Sequence, residues 1–374
     1  MGNDCGNIAS LKGNVYLLAR QQEGCRMLQR YLEAENNAEA IDIIWREAIQ
    51  HVGPLITDPF GHYLWLRLLD RISPKQRLEL LKNLSSDMVG ISLNVHGTRV
   101  VQKLLEKVKG PEEIEAAISA LKGEISTLSK DVYGMHVVLR CLYHQGIDNA
   151  FIIQAVAKRI VSVSMHKHGC CVVQWCLDYG TRAQREGLID QIAKNALELV
   201  QDAYGNYVVQ QIMDVSKWKS HEDAAARRKV MKALLGNIAK LAVQKFSSIV
   251  VEKCLQEADD DIRMAMVEEL VDPIRLPRLL QDPYANYVIQ KVLSVSRSDE
   301  FQRLIVRIRP HLDVLSATPF GKRIQLQMFR KFPILSINGS RAQIASQSPE
   351  HDMFISPHGA LPFDCRGDFE IPRE

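Results

Sequence analysis

The 374-residue chain has no run of about 18 consecutive apolar residues, which excludes a helix that spans a bilayer. It also has little charge of one sign: the formal net charge is only +3, so any attraction to an anionic polymer must come from local patterning. Cysteine is present without a framework. Cys5, Cys25, Cys141, Cys170, Cys171, Cys176, Cys254 and Cys365 have no disulfide-scaffold spacing, and no signal-peptide pattern precedes them. Several fall inside apolar runs, where a free thiol acts as a small hydrophobe, so a reducing, cytoplasmic compartment is expected. The opening MGNDCG puts Gly6 where a myristoylation signal wants Ser or Thr. No phosphate-cradling glycine loop occurs, which argues against a nucleotide-driven enzyme. The cluster His166, His168, Cys170, Cys171 and Cys176 lacks the paired ligand spacing of tetrahedral zinc, and no orienting group accompanies a Cys–His pair. The expectation is a protein with no metal, no cofactor and no catalytic site. Strand signals are sparse, and the hydrophobic content of 46% is ordinary for a core-forming protein, so the fold is expected to be all-α.

What is there is a repeat. The stretch QDAYGNYVVQQIM, Gln201–Met213, carries an apolar stripe at Val208, Val209, Ile212 and Met213, and on the opposite face Asn206 and Gln210, four apart, with Tyr207 between them. That polar face reads as exposed. The pattern returns as QDPYANYVIQKVL from Gln281 and, with changes, seven more times. The small residue in each copy is Gly24, Gly61, Gly97, Gly134, Gly169, Gly205, Ser247, Ala285 and Gly321, at intervals of 35 to 38 residues with one of 42. A fixed period in this range is the mark of a stacked solenoid, and the apolar and charged phases predict three helices per copy. Asp58, Asp131, Asp202 and Asp282 stand three before the small residue and suit a helix N-cap; Pro59 and Pro283 follow where an N–H is not needed. The 42-residue interval holds an insertion, Ser216–Lys229, read as a loop or a lengthened helix end. The domains expected are an N-terminal arm over 1–13, the repeats and a final half-repeat over 14–332, and a Ser/Pro/Gly-rich disordered tail over 333–374.

Three positions per copy project together: the residue after the small one, its neighbour, and the one four on. The chain closely resembles the Pumilio (PUF) family of RNA-binding domains over roughly residues 14–330. The resemblance implies a right-handed α-solenoid, a superhelical crescent of about eight repeats plus a C-terminal cap. Each repeat reads one base of single-stranded RNA through its triplet, and the last repeat takes the 5′ base. Asn286/Gln290 and Asn206/Gln210 offer donors and acceptors that suit uracil. Ser248/Glu252 puts an acceptor-only carboxylate opposite the paired donors of guanine. Cys170/Gln174, Thr98/Gln102 and Cys25/Gln29 leave room for a purine, and the resemblance implies adenine. His62/Leu66 and Met135/Leu139 place leucine where glutamine is usual, so base choice there is expected to relax. The site read in this way is 5′-UGUA-N-A-N-A-3′.

The middle residues Arg26, Tyr63, Arg99, His136, Tyr207 and Tyr287 are flat and suit base stacking, whereas Cys171 and Ile249 are not. Arg30, Arg67, Lys103, Arg140, Lys253 and Lys291 recur just after the third triplet position, with Trp175 and Gln211 in the other two copies, and are read as phosphate contacts. The resemblance further implies a monomer that binds mRNA 3′ untranslated regions and recruits deadenylase or translation-repressor proteins. The rivals are a nuclear PUF-like protein of ribosomal RNA maturation and a protein-binding helical scaffold. Too few residues precede Gly24 for the half-repeat that usually caps the family's first repeat, so that repeat is expected to fray.

Overall fold

The computed structural model describes residues 11–34, 37–216, 220–311, 315 and 319–331; the tail over 333–374 and most of the arm over 1–13 lie outside these. The described residues are all helical or in turns, with no strand. Each of eight repeats has a short helix, a reader helix and a third helix, beginning with Val15–Ala19, Gln22–Glu33 and Ala38–Ala48, and ending with Leu276–Leu279, Ala285–Val295 and Ser298–Ile308. A last helix, Pro319–Lys331, occupies the reader position of the ninth copy.

The chain forms two compact units, residues 1–188 and 189–374. Within the first, the reader helices of repeats one to five pack each on the next; within the second, those of repeats six, seven, eight and the final copy do the same. Third helices pack behind them, Pro74–Leu84 on Pro111–Leu121 in the first unit and His221–Leu234 on Asp260–Leu270 in the second. The core between the layers follows from two apolar residues, three and four after the small one. Val100 and Val101, Val137 and Val138, Val172 and Val173, Val208 and Val209, Val250 and Val251, and Val288 and Ile289 are all at most 1% exposed. Burying each such side chain contributes about 1.5–3 kcal/mol, so the stripe supplies much of the driving force for stacking.

In six of the copies glycine is selected by a close approach, not by backbone conformation, whereas the eighth copy buries the Cβ of Ala285. A Cβ built on Gly24, Gly61, Gly97, Gly134, Gly169 or Gly205 would lie 2.1–2.8 Å from the carbonyl oxygen six residues earlier, in the short helix. At the seventh repeat the residue is Ser247, and its hydroxyl donates to that same carbonyl, Leu241 O, at 2.6 Å. The collision has become a hydrogen bond, and the register is kept.

The inserted residues lengthen a helix. His221–Leu234, the third helix of repeat six, starts at a capping box in which Ser220 Oγ accepts from Asp223 N at 3.2 Å and Asp223 accepts from Ser220 N at 2.9 Å. Arg228 then bridges to Asp259 and Asp261, and Lys229 to Asp190. Residues 217–219 lie outside the described set.

The first repeat has a buried start. Leu11, Val15, Ala19 and Leu28 are fully buried. Glu47, from the repeat's own third helix, accepts from Gly13 N at 2.6 Å and Val15 N at 3.1 Å, satisfying the start of the short helix. Repeat seven uses the same device, with Glu269 accepting from Gly236 N and, at 2.8 Å, from Ile238 N. Gly13 and Gly236 both have positive φ, 77° and 85°, so glycine is required at each for its conformation.

Candidate nucleic-acid interface

The reader helices begin at a fixed local structure. Asp58 accepts from Phe60 N at 2.8 Å and Gly61 N at 3.0 Å, and Asp131, Asp202 and Asp282 accept from the equivalent pairs at 2.8–2.9 Å. Asn94 does the same in repeat three. The carboxylates thus cap the turn that leads into the helix and fix where the next residue, the first of the triplet, is placed.

That residue in turn holds the third. Asn206 Nδ2 donates to the carbonyls of Asp202 and Ala203 at 2.8 and 3.0 Å, which leaves Oδ1 to accept from Gln210 Nε2 at 2.7 Å. Asn286 is bound in the same way to Asp282 and Pro283, and accepts from Gln290 at 3.0 Å. Gln102 donates to Thr98 Oγ1 at 3.0 Å, Gln29 to Cys25 Sγ at 3.2 Å, and Gln174 to the Cys170 carbonyl at 3.3 Å. In five repeats, then, the third-position amide turns back four residues and uses one N–H within its own repeat. Thr98 and Cys25 are themselves tied to the following repeat, Thr98 Oγ1 to Tyr133 O and Cys25 Sγ to Phe60 O, both at 3.1 Å.

The polar face is therefore not the exposed one its pattern predicts. Asn206 is 1% exposed, Asn286 fully buried, and Gln210 and Gln290 each 7%. The hydrogen bonds explain it: an amide whose groups are satisfied within its own helix can be covered by neighbours without loss. Cys25, Thr98, Cys170 and Ser248 are buried as well.

Glu252 has no such arrangement. Ser248 Oγ donates instead to Lys245 O at 3.3 Å. Burial pushes the Glu252 carboxyl up to about 7, with Lys291 of the next repeat pulling the other way. The folded pKa lies above the ordinary 4.5, so the stability associated with the neutral acid is fully present below pH 4.5 and is lost as pH rises through 7. Glu252→Gln should therefore unfold at higher temperature than the parent at pH 8, by on the order of 1–3 kcal/mol, with the gap closing toward pH 4.5. Thermal unfolding of both at the two pH values checks this; a gap that does not change with pH refutes it.

At the two leucine repeats the first residues are equally covered. Met135 is 7% and Leu139 5% exposed, and His62 is 1% exposed with Leu66 half-buried. Among the middle residues, Tyr63 is the most open tyrosine, 45% exposed, and Arg99 is exposed. His136, Tyr207 and Tyr287 are half-buried, and Tyr287 accepts a hydrogen bond from Arg323 of the final helix at 3.3 Å. Arg26 pairs with Glu23 at 3.4 Å. Cys171 is fully buried and presents no stacking surface.

The cation row has a different first task from the one read in the sequence. Arg67 pairs with Glu33 at 3.4 Å, Lys103 with Asp70 at 2.6 Å, and Arg140 with Glu106 at 2.6 Å, each acid belonging to the preceding repeat. Lys291 donates to Gln256 at 3.2 Å, and Asp214 is the carboxylate that acts on Lys253. Arg30 is exposed. These are bridges between repeats, and Glu33, Asp70, Glu106 and Asp214, each nine after its small residue, are the sequence signal for them. A second missed regularity is the ring one before the small residue in every copy after the first: Phe60, His96, Tyr133, His168, Tyr204, Phe246, Tyr284 and Phe320. The backbone of this position supports the reading residue of the repeat before it, as Phe60 and Tyr133 do.

Among the described residues no group of three or more His, Cys, Asp or Glu could hold a metal, and no helix is long and apolar enough to cross a membrane. Cys25, Cys141, Cys170, Cys176 and Cys254 are buried and in no disulfide.

The model of the Pumilio-family RNA binding repeat matches residues 14–46, 51–85, 87–120, 159–193, 195–217, 237–271 and 277–309, more than half of the chain. The chain belongs to the Pumilio family. It is 39% identical over 323 residues to Pumilio homolog 12 of Arabidopsis thaliana, covering 85% of this chain and 53% of that protein. To Pumilio homolog 11 of the same plant it is 41% identical over 325 residues, covering 86% and 56%. The chain thus spans about half the length of the curated relatives it matches. Among solved structures it is similar to the Puf4 RNA binding domain bound to an HO endonuclease RNA 3′ UTR recognition sequence, with 34% identity, a TM-score of 0.70, and 86% of this chain and 99% of that one covered. The RNA-binding domain of yeast Puf5p bound to AAT2 RNA gives 27% identity, a TM-score of 0.76, and 88% and 99% covered. The seven matched Pumilio segments leave out residues 121–158, the repeat with Met135 and Leu139. That repeat nevertheless has its three helices, its Asp131 cap and its close approach at Gly134.

Proposed function

We propose that this Pumilio-family chain is not an enzyme but a sequence-specific reader of single-stranded RNA. It takes one base per repeat and selects 5′-UGUA-N-A-N-A-like elements in mRNA 3′ untranslated regions. Its binding represses translation or promotes decay of those messages, in the cytoplasm, through deadenylase or repressor proteins. The observation that carries the base assignment is the paired amides of Asn206/Gln210 and Asn286/Gln290 on either side of the Ser248/Glu252 repeat. Each glutamine is held by its asparagine with one donor and one acceptor left over, which matches a uracil N3–H and the carbonyl beside it. The carboxylate between them takes only donors, which matches guanine N1–H and N2–H. The relatives' solved complexes with 3′ UTR recognition sequences support the class of ligand.

Titration of the chain with 5′-UGUAAAUA and 5′-ACAAAAUA at moderate salt tests the reading. The first should bind at least about tenfold more tightly, because the second strands buried amide and carboxylate groups. Equal affinities would refute it.

A further inference from the structure

The second repeat carries a reading group that its leucine hides. His62 Nδ1 faces the Asp58 carbonyl at 2.9 Å, and a nitrogen facing a carbonyl must be the N–H. Nε2 is then the lone-pair nitrogen. It is buried and has no hydrogen-bond partner, in a side chain that is 1% exposed. In five other repeats the acceptor at or beside this position is engaged by the amide four residues on; here that residue is Leu66, and nothing takes the lone pair. Burial lowers the His62 pKa, and the nearby His96 and Arg99 lower it further against the pull of Asp58, so the ring is neutral at pH 7. The His96 ring stacks on one side at 4.8 Å and 25°. The Tyr63 ring lies 3.9 Å away at 37°, and Tyr63 is 45% exposed. Tyr63 is the stacking residue of this triplet. Turning it outward onto a base uncovers the imidazole.

We propose that His62 makes the second repeat an adenine reader, its Nε2 accepting the exocyclic N–H of the seventh base, so that the selected element is 5′-UGUA-N-A-A-A-3′. The choice of base follows from what Leu66 leaves unsatisfied beside that bond. Adenine giving its N6–H strands one acceptor, N1. Cytosine giving its N4–H strands N3 and O2. Uracil giving N3–H strands both carbonyls, and guanine giving one N–H strands O6 and the other donor. Each additional stranded group in a covered site weakens binding, so adenine is favoured and uracil, which repeats six and eight select, is not. The relaxed choice predicted from Leu66 alone is replaced by a selection made through its neighbour four residues earlier.

This inference rests on the base-per-repeat reading above, and the experiment separates the two. The whole chain is titrated with 5′-UGUAAAXA, X being A, C, G or U, and with 5′-ACAAAAAA. The expected result is tightest binding for X = A, by about 5- to 30-fold over U. His62→Phe, which keeps a stacked ring and removes the lone pair, should level the four affinities. His62→Asn with Leu66→Gln rebuilds the triplet of repeats six and eight and should move the preference to U. Equal binding of the four RNAs by the parent chain, or tightest binding for U, overturns the inference, and it overturns that alone if 5′-ACAAAAAA still binds weakly. If 5′-ACAAAAAA binds as well as 5′-UGUAAAAA, base reading itself fails and the inference falls with it.

Discussion

Ser248→Asn combined with Glu252→Gln should turn the preference at the second base from guanine to uracil. The backbone for the change is already in place. In repeats six and eight the asparagine donates to the carbonyls three and four residues before it, and for position 248 those are Lys245 and Gln244, the first of which Ser248 already contacts at 3.3 Å. An asparagine there would be fixed with its oxygen toward residue 252, and a glutamine at 252 would donate to it as Gln210 does. The parent carboxylate meets two adjacent donors in guanine but only N3–H flanked by lone-pair oxygens in uracil, so one bond is lost and a repulsive contact takes its place. We therefore expect the parent to favour 5′-UGUAAAUA over 5′-UUUAAAUA by about 10- to 100-fold, and the double variant to reverse the order by a similar factor. The pH response supplies a second readout. Accepting both guanine donors needs the ionised form, and the free carboxyl titrates near 7, so the parent's affinity for the guanine RNA should fall as pH drops from 8 to 6. The variant's affinity for the uracil RNA should stay level over that range. An unchanged base preference in the variant would remove Glu252 from its assigned role.

A large stability effect is expected at Gly169. A Cβ there would lie 2.1 Å from Val163 O and 3.0 Å from its carbon, both backbone atoms that cannot swing aside. Gly169→Ala should cost about 2–4 kcal/mol, through displacement of the short helix Ile160–Ser164 from the reader helix Gly169–Tyr179. The contrast is Gly187, in the helix Arg182–Lys194, where a Cβ meets nothing within 4 Å. Gly187→Ala should stabilise by about 0.5–1 kcal/mol, because alanine has less freedom to lose in a helix interior. Urea unfolding of the two variants beside the parent decides the matter. If both shift the midpoint in the same direction, the close approach is not what selects glycine in the repeat.

The sequence alone determined the architecture. The period, the phase of the Val–Val stripe and the recurring small residue locate every repeat, including the one over 121–158 that the family model passes over, because each reports a contact made within one copy. The triplets were legible for the same reason: positions one and four apart on a helix share a face whatever surrounds them. What a single copy cannot report is what the next one does to it. The amides of Asn206 and Asn286 look exposed from their own helices, and only stacking with satisfied hydrogen bonds shows them covered. The row from Arg67 to Arg140 looks like free charge until the preceding repeat brings an acid to each. Leu66 gives no sign in the pattern of the imidazole that the fold places beside it with an unused lone pair. Periodicity fixes direction along one helix, whereas burial, ion pairing and protonation depend on dielectric and partners set by the neighbouring repeats. Those quantities the tertiary structure alone decided.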